Sequence, residues 1–182
     1  MNKIKMSKVK EISLIGILAG VNIASRVYLQ ALPNIKPVTS ILIISVLLFG
    51  LAFGVKLAIV TTIASNVFLG MGTWTFFQIL AWIVICLLTQ IVVDGFNKFN
   101  KKPNIIFMSI FAFLMGYVFG FIVSLEAMVL GGMGYFLSYI ASGFIFDTFH
   151  ACGNFVFYLI CSPILTKVFE KEIKRINYIE KN

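Results

Sequence analysis

The sequence predicts an all-α integral membrane protein, a single domain built as a bundle of six transmembrane helices, on three observations. Of its 182 residues, 60% are hydrophobic and 12% charged, and a mean hydropathy of +1.00 leaves too little polar surface to wrap a water-soluble core. Apolar runs long enough to cross a bilayer, about 20 residues each, follow one another with only short polar punctuation. The basic residues also sort by side. Lys3, Lys5, Lys8 and Lys10 precede the first run, Lys56, Lys98, Lys101 and Lys102 sit at alternate turns, and Lys167, Lys171, Lys174, Arg175 and Lys181 follow the last. With both termini cytoplasmic, all 15 basic residues except Arg26 and Lys36 lie inside, the bias expected of a multi-pass protein of the cell membrane. The net charge of +8 is then a topology signal rather than a footprint for nucleic acid.

The spans are expected near 12–32, 38–55, 57–72, 75–93, 104–125 and 146–166. The first follows a lysine-rich head that resembles a signal peptide, but no small-x-small exit precedes Arg26, so it reads as a retained span. Leu32-Pro33-Asn34-Ile35-Lys36-Pro37 makes a stiff external loop before the second. The second and third form a tight pair joined at Gly54-Val55-Lys56, and the third ends at Gly70-Met71-Gly72. Asp94 and three lysines close the fourth. Between the fifth and sixth, residues 127–145 are amphipathic and broken at Gly131-Gly132-Met133-Gly134 and Ser142-Gly143. They read either as a lid over an external cavity or as a loop on the headgroups. Cys86, Cys152 and Cys161 fall inside apolar runs without CxxC spacing, which reads as packing rather than disulfides or a metal site.

Polar groups inside a membrane are costly unless they line a cavity or find partners, so their positions carry the functional signal. Asn22 and Arg26 share one face of the first span. Gly16, Gly20 and Ala24 recur at the same spacing, and the two-residue offset turns them about 200° away. That stripe suits close approach of a helix, either of a partner protein or of the chain itself. In the sixth span Asp147, His150, Asn154 and Tyr158 form one stripe. Asp147 reads as a site carboxylate, a partner for Arg26, or an N-cap. Ser65, Asn66, Trp74, Thr75 and Gln78, with Trp82 a turn further on, supply hydrogen-bonding groups and a flat stacking face at the external ends of spans three and four. Asn34 and Lys36 are placed to reach the same region. One external cavity accounts for all of them.

The sequence contains no Walker-type phosphate loop, Gly-x-Ser-x-Gly elbow or paired carboxylates. One histidine and one aspartate are too few for a metal centre, and no cofactor is expected. A solute-binding protein that borrows its energy is one reading. A second is a small lipid-modifying membrane enzyme with Asp147 and His150 as an acid–base pair, and a third is a structural subunit without a ligand.

The segments Ser65-Asn66-Val67-Phe68-Leu69-Gly70-Met71-Gly72-Thr73-Trp74-Thr75-Phe76-Phe77-Gln78 and Phe146-Asp147-Thr148-Phe149-His150-Ala151-Cys152-Gly153-Asn154, with Arg26 and the Pro33–Pro37 loop, resemble the substrate-binding S components of energy-coupling factor (ECF) vitamin transporters, closest to the cobalamin-type branch. The likeness extends over nearly the whole chain. It implies a non-enzymatic transporter subunit that captures a vitamin-like molecule from outside, cobalamin or a cobalamin precursor first, or another micronutrient such as thiamine or a queuosine precursor. Delivery inward would use a separate transmembrane coupling protein and two ATPase subunits. The resemblance places binding on Asn34, Trp74, Gln78, Asp147, His150 and Asn154, to which the reading of the residues adds Arg26 and Asn66. It places contact with the coupling protein on Gly16, Gly20 and Ala24.

Overall fold

The computed structural model describes residues 7–179 and is helical nearly throughout, with no strand among those residues. Lys3, Lys5 and Lys181, counted above with the basic flanks, lie outside the described residues. Five helices follow in order: α1 (Lys8–Tyr28), α2 (Val38–Phe49), α3 (Leu51–Leu69), α4 (Thr73–Lys98) and α5 (Ile105–Ile179). Four of them, α1, α3, α4 and α5, are long and apolar enough to cross a membrane, while α2 is a shorter apolar helix.

The count corrects the expectation of six separate helices. Residues 127–145 are helical, so α5 runs through the stretch read as a loop and breaks only at Gly132, whose φ of 74° and ψ of −170° are non-helical. Two antiparallel arms, 105–131 and 133–179, result. Their contact rests on missing side chains. A Cβ on Gly116 would lie 2.6 Å from the Ala151 Cα, and one on Gly120 would collide with the Asp147 carboxylate. Asp147 is therefore well inside a helix, which removes its reading as an N-cap.

The boundary between α2 and α3 also moves. It falls at Gly50, with φ 91°, and Lys56 is inside α3 rather than at the turn. The backbone N–H of Leu51, which has no helical acceptor at a helix start, donates to Gln90 Oε1 of α4 at 3.0 Å. Gln90 in turn donates to Asp94 Oδ1 at 2.7 Å, so Asp94 helps hold the seam.

In α1, Ile15, Leu18, Ala19, Asn22 and Arg26 are buried as one stripe, the spacing that a single inward face demands. This stripe lies on α3, and the matches Glu11–Lys56, Asn22–Thr61 and Arg26–Ser65 show the two helices running parallel. α2 is the innermost helix, with ten of its twelve residues buried. It packs on α3, α4 and α5, and Leu42, Ile43, Leu57, Ile85, Met108 and Ala112 occupy the core around it. Chain direction alternates, so the loop 29–37, the turn 70–72 and the Gly132 break share one end. Lys8, Lys56, Lys98, Lys101 and Lys102 mark the other. The cysteines divide: Cys86 is buried and Cys161 half-buried, but Cys152 is exposed on the bundle surface and is not a packing residue.

Candidate functional site

Arg26 is 5% exposed and organises the end of the bundle at which the polar residues gather. Its Nη1 donates to Ser65 Oγ at 2.5 Å, and its Nη2 to Asn66 Oδ1 at 3.0 Å and Gln78 Oε1 at 3.2 Å. Asn66 Nδ2 donates to Thr75 Oγ1 at 2.9 Å and to the same Gln78 oxygen at 3.0 Å. Two donors converging on Gln78 Oε1 fix the orientation of that amide and leave its NH2 group available. The guanidinium also lies 5.1 Å from the centre of the Trp82 ring, within cation–π range. The expected pairing of Arg26 with Asp147 is not formed. Every hydrogen-bond acceptor of Arg26 is neutral, because α1 lies against α3 and Asp147 lies on the second arm of α5, facing Gly120.

A second set of contacts continues from Trp82. Its ring is 5.0 Å from that of Phe119, and Phe119 meets the His150 imidazole edge-on at 4.9 Å. Trp82 Nε1–H donates to Thr39 Oγ1 at 3.2 Å, and the same hydroxyl lies 3.2 Å from His150 Nε2. Indole is only a donor, so Thr39 Oγ1 accepts from Trp82, and its second lone pair or its own proton serves His150 Nε2 according to the imidazole tautomer. His150 Nδ1 is buried with no partner among the described residues. No hydrogen bond joins Asp147 to His150 among the described residues.

Two adjoining cavities open among these residues. The outer one, about 460 Å³, is bounded by Asn34, Trp74, Gln78, Glu126, Tyr139 and Asp147, among others. The inner one, about 50 Å³, is lined by Arg26, Lys36, His150 and Trp82, and shares Asn34, Gln78 and Phe119 with the outer. Trp74, 42% exposed, stands on the outer wall. A hydrogen bond from the Thr73 hydroxyl to Glu126 ties the start of α4 to the first arm of α5. The second arm contributes Tyr139, Ser142 and Gly143 to the outer wall, so the stretch 127–145 encloses the cavity as helix. Lys36, in the loop 29–37, has no hydrogen bond or ion pair with any described residue. Burial, and secondarily the Arg26 charge, push its ammonium below the usual lysine range.

Six of the eight expected binding residues thus line the two cavities: Arg26, Asn34, Trp74, Gln78, Asp147 and His150. Asn66 stands behind Arg26 as a support. Asn154 is fully buried one turn below His150 with both amide atoms unpartnered, outside either lining, while its backbone carbonyl accepts from Ser40. Phe119, which borders both cavities, carried no signal among nineteen phenylalanines. Gly16, Gly20 and Ala24 are exposed, and nothing lies within 4 Å of a Cβ placed on either glycine. No helix among the described residues occupies that stripe. Compared with known proteins, the chain matches no family model, no curated protein and no solved structure.

Proposed function

We propose that this chain is the substrate-binding membrane subunit of an ECF-type importer, taking a small micronutrient from outside and passing it inward with a coupling protein and two ATPase subunits. The observation that carries this reading is the pair of joined polar cavities at one end of an apolar bundle, opposite the end that bears Lys8, Lys56, Lys98, Lys101 and Lys102. Counting α2 and the two arms of α5 separately gives six membrane segments, with both termini on the basic, cytoplasmic side. The cavities then face outward.

Size bears on the ligand. At roughly 30 Å³ per water-sized volume, 460 Å³ equals on the order of 15 water volumes. A complete corrinoid is several times larger and would remain mostly outside. A single- or fused-ring compound against Trp74 fits, which favours a cobalamin precursor, thiamine or a queuosine precursor over cobalamin itself. The test is binding of labelled vitamins and precursors to the purified protein in nanodiscs. Saturable one-to-one capture of one of them is expected, and no capture across the panel overturns the reading.

Two substitutions separate the faces. Gly20→Leu adds bulk only to the outer surface of α1 and is expected to abolish uptake in cells carrying the coupling proteins while the purified protein still captures ligand. A loss of ligand affinity instead would contradict the assignment of that stripe to a partner. Asp147→Asn is expected to weaken ligand capture about tenfold with little change in melting temperature, since no ion pair is broken. Melting that falls with affinity would mean that the carboxylate is structural.

A further inference from the structure

The inner chamber has a composition that the outer cavity lacks. Its wall includes two cationic side chains, Arg26 and Lys36, and no acidic one. Beside the Asn34 amide, which offers both donor and acceptor, the remaining polar capacity is donor capacity. Gln78 has spent its only acceptor on Arg26 and Asn66, which leaves an NH2 group. His150, 5% exposed, adds no acidic group to this wall and has Nε2 engaged with Thr39. Lys36 adds an ammonium without a partner among the described residues. Donors and charges held partly out of water without acceptors are unfavourable in the empty protein, and the half-buried Lys36 and Gln78 line this one space. The carboxylates nearest in the site, Asp147 and Glu126, stand on the wall of the outer cavity.

We infer that the inner chamber is a subsite for the anionic group of the ligand, a carboxylate or a group of similar size, held by Lys36 and the Gln78 amide over the Arg26 guanidinium. The volume agrees. About 50 Å³ is somewhat more than one water-sized volume, near 30 Å³, so a carboxylate fits and a bulky ring does not. The inference rests on the transport reading for its biological ligand and adds a chemical class: a flat molecule with one acidic end, which enters acid first. Its neutral or cationic end then faces Asp147 and Glu126, and a second acidic group at that end is disfavoured.

Both tryptophans of the chain, Trp74 and Trp82, border the site, so intrinsic fluorescence reports occupancy. The probes are benzoate and its uncharged isostere benzamide, titrated into the protein in nanodiscs. Benzoate is expected to give a saturable change with about tenfold or greater preference over benzamide, as a charge-assisted contact requires. Lys36→Gln is expected to bring the ratio toward one, and Lys36→Arg to restore most of it. Equal affinities, no saturable response to benzoate, or a preference that survives Lys36→Gln would each overturn the subsite. The two readings fail separately. Capture of a labelled neutral vitamin with an affinity insensitive to Lys36→Gln would sink the subsite and keep the importer. A Lys36-dependent benzoate preference in a protein that captures no vitamin would do the reverse.

Discussion

Replacing Gly116 by leucine is expected to prevent the two arms of α5 from closing, with a loss of about 3 kcal/mol or more and a fall in melting temperature of roughly 10 °C. The reason is contact between backbones. A Cβ at this position would lie 2.6 Å from Ala151 Cα, 2.7 Å from its nitrogen and 2.9 Å from its Cβ. None of these atoms belongs to a flexible side chain that can swing aside. Small residues at such crossings let membrane helices approach where no hydrophobic driving force separates helix from lipid. His150 immediately precedes Ala151, and Phe119 lies one turn from Gly116, so forcing the arms apart also opens the inner chamber. The measurement is thermal unfolding in bicelles, with ligand capture as a second readout. Gly95→Leu on α4, where nothing lies within 4 Å, is the control and is expected to melt near wild type. Equal melting of the Gly116→Leu and wild-type proteins would mean that the arms are not packed as described.

Arg26 supports the second large effect. Substitution by alanine removes donors to Ser65, Asn66 and Gln78 at once, along with the face contact to Trp82. Hydrogen bonds to charged groups contribute about 1.5–3 kcal/mol each, but the three are not additive. Removal of the charge also ends its desolvation cost, so a net loss of about 3 kcal/mol is expected. Arg26→Lys is expected to recover little of it. One ammonium cannot reproduce the planar fork that reaches Ser65 with one nitrogen and Asn66 and Gln78 with the other. Chemical unfolding in mixed micelles measures both variants. A lysine variant as stable as wild type would show that charge, and not the fork, holds α1 to α3 and α4.

Much of this arrangement was legible in the sequence because helical spacing reports faces. Asn22 and Arg26 four residues apart, and Gly16, Gly20 and Ala24 on the opposite side, lie as the periodicity predicts. The His150 and Asp147 stripe is likewise on the inner side of its helix. Which faces meet was not legible. Charge complementarity suggested Arg26 with Asp147, but α1 runs parallel beside α3, and the register of that contact gives Arg26 three neutral acceptors instead. Boundaries misled for a similar reason. Lys56 after Gly54 looks like a turn, yet the chain bends at Gly50, because positive φ and not polarity ends a helix. The glycines near 131–134 suggested a loop, although only Gly132 departs from helical geometry. Phe119 was invisible because an aromatic that walls a cavity has the same spacing as one that packs a core.

The shortness of α2 affects the order in which the protein is made. Twelve residues rise about 18 Å, well short of a hydrocarbon layer of about 30 Å, and the helix packs against α3, α4 and α5 and, less, against α1. Of these neighbours only α1 precedes it in the chain. α2 is fully covered only when the arms of α5 have been made. Thr39, which orients both Trp82 and His150, is carried on this helix. The inner chamber is therefore completed late, since Arg26 of α1 and His150 of the second arm of α5 both line it.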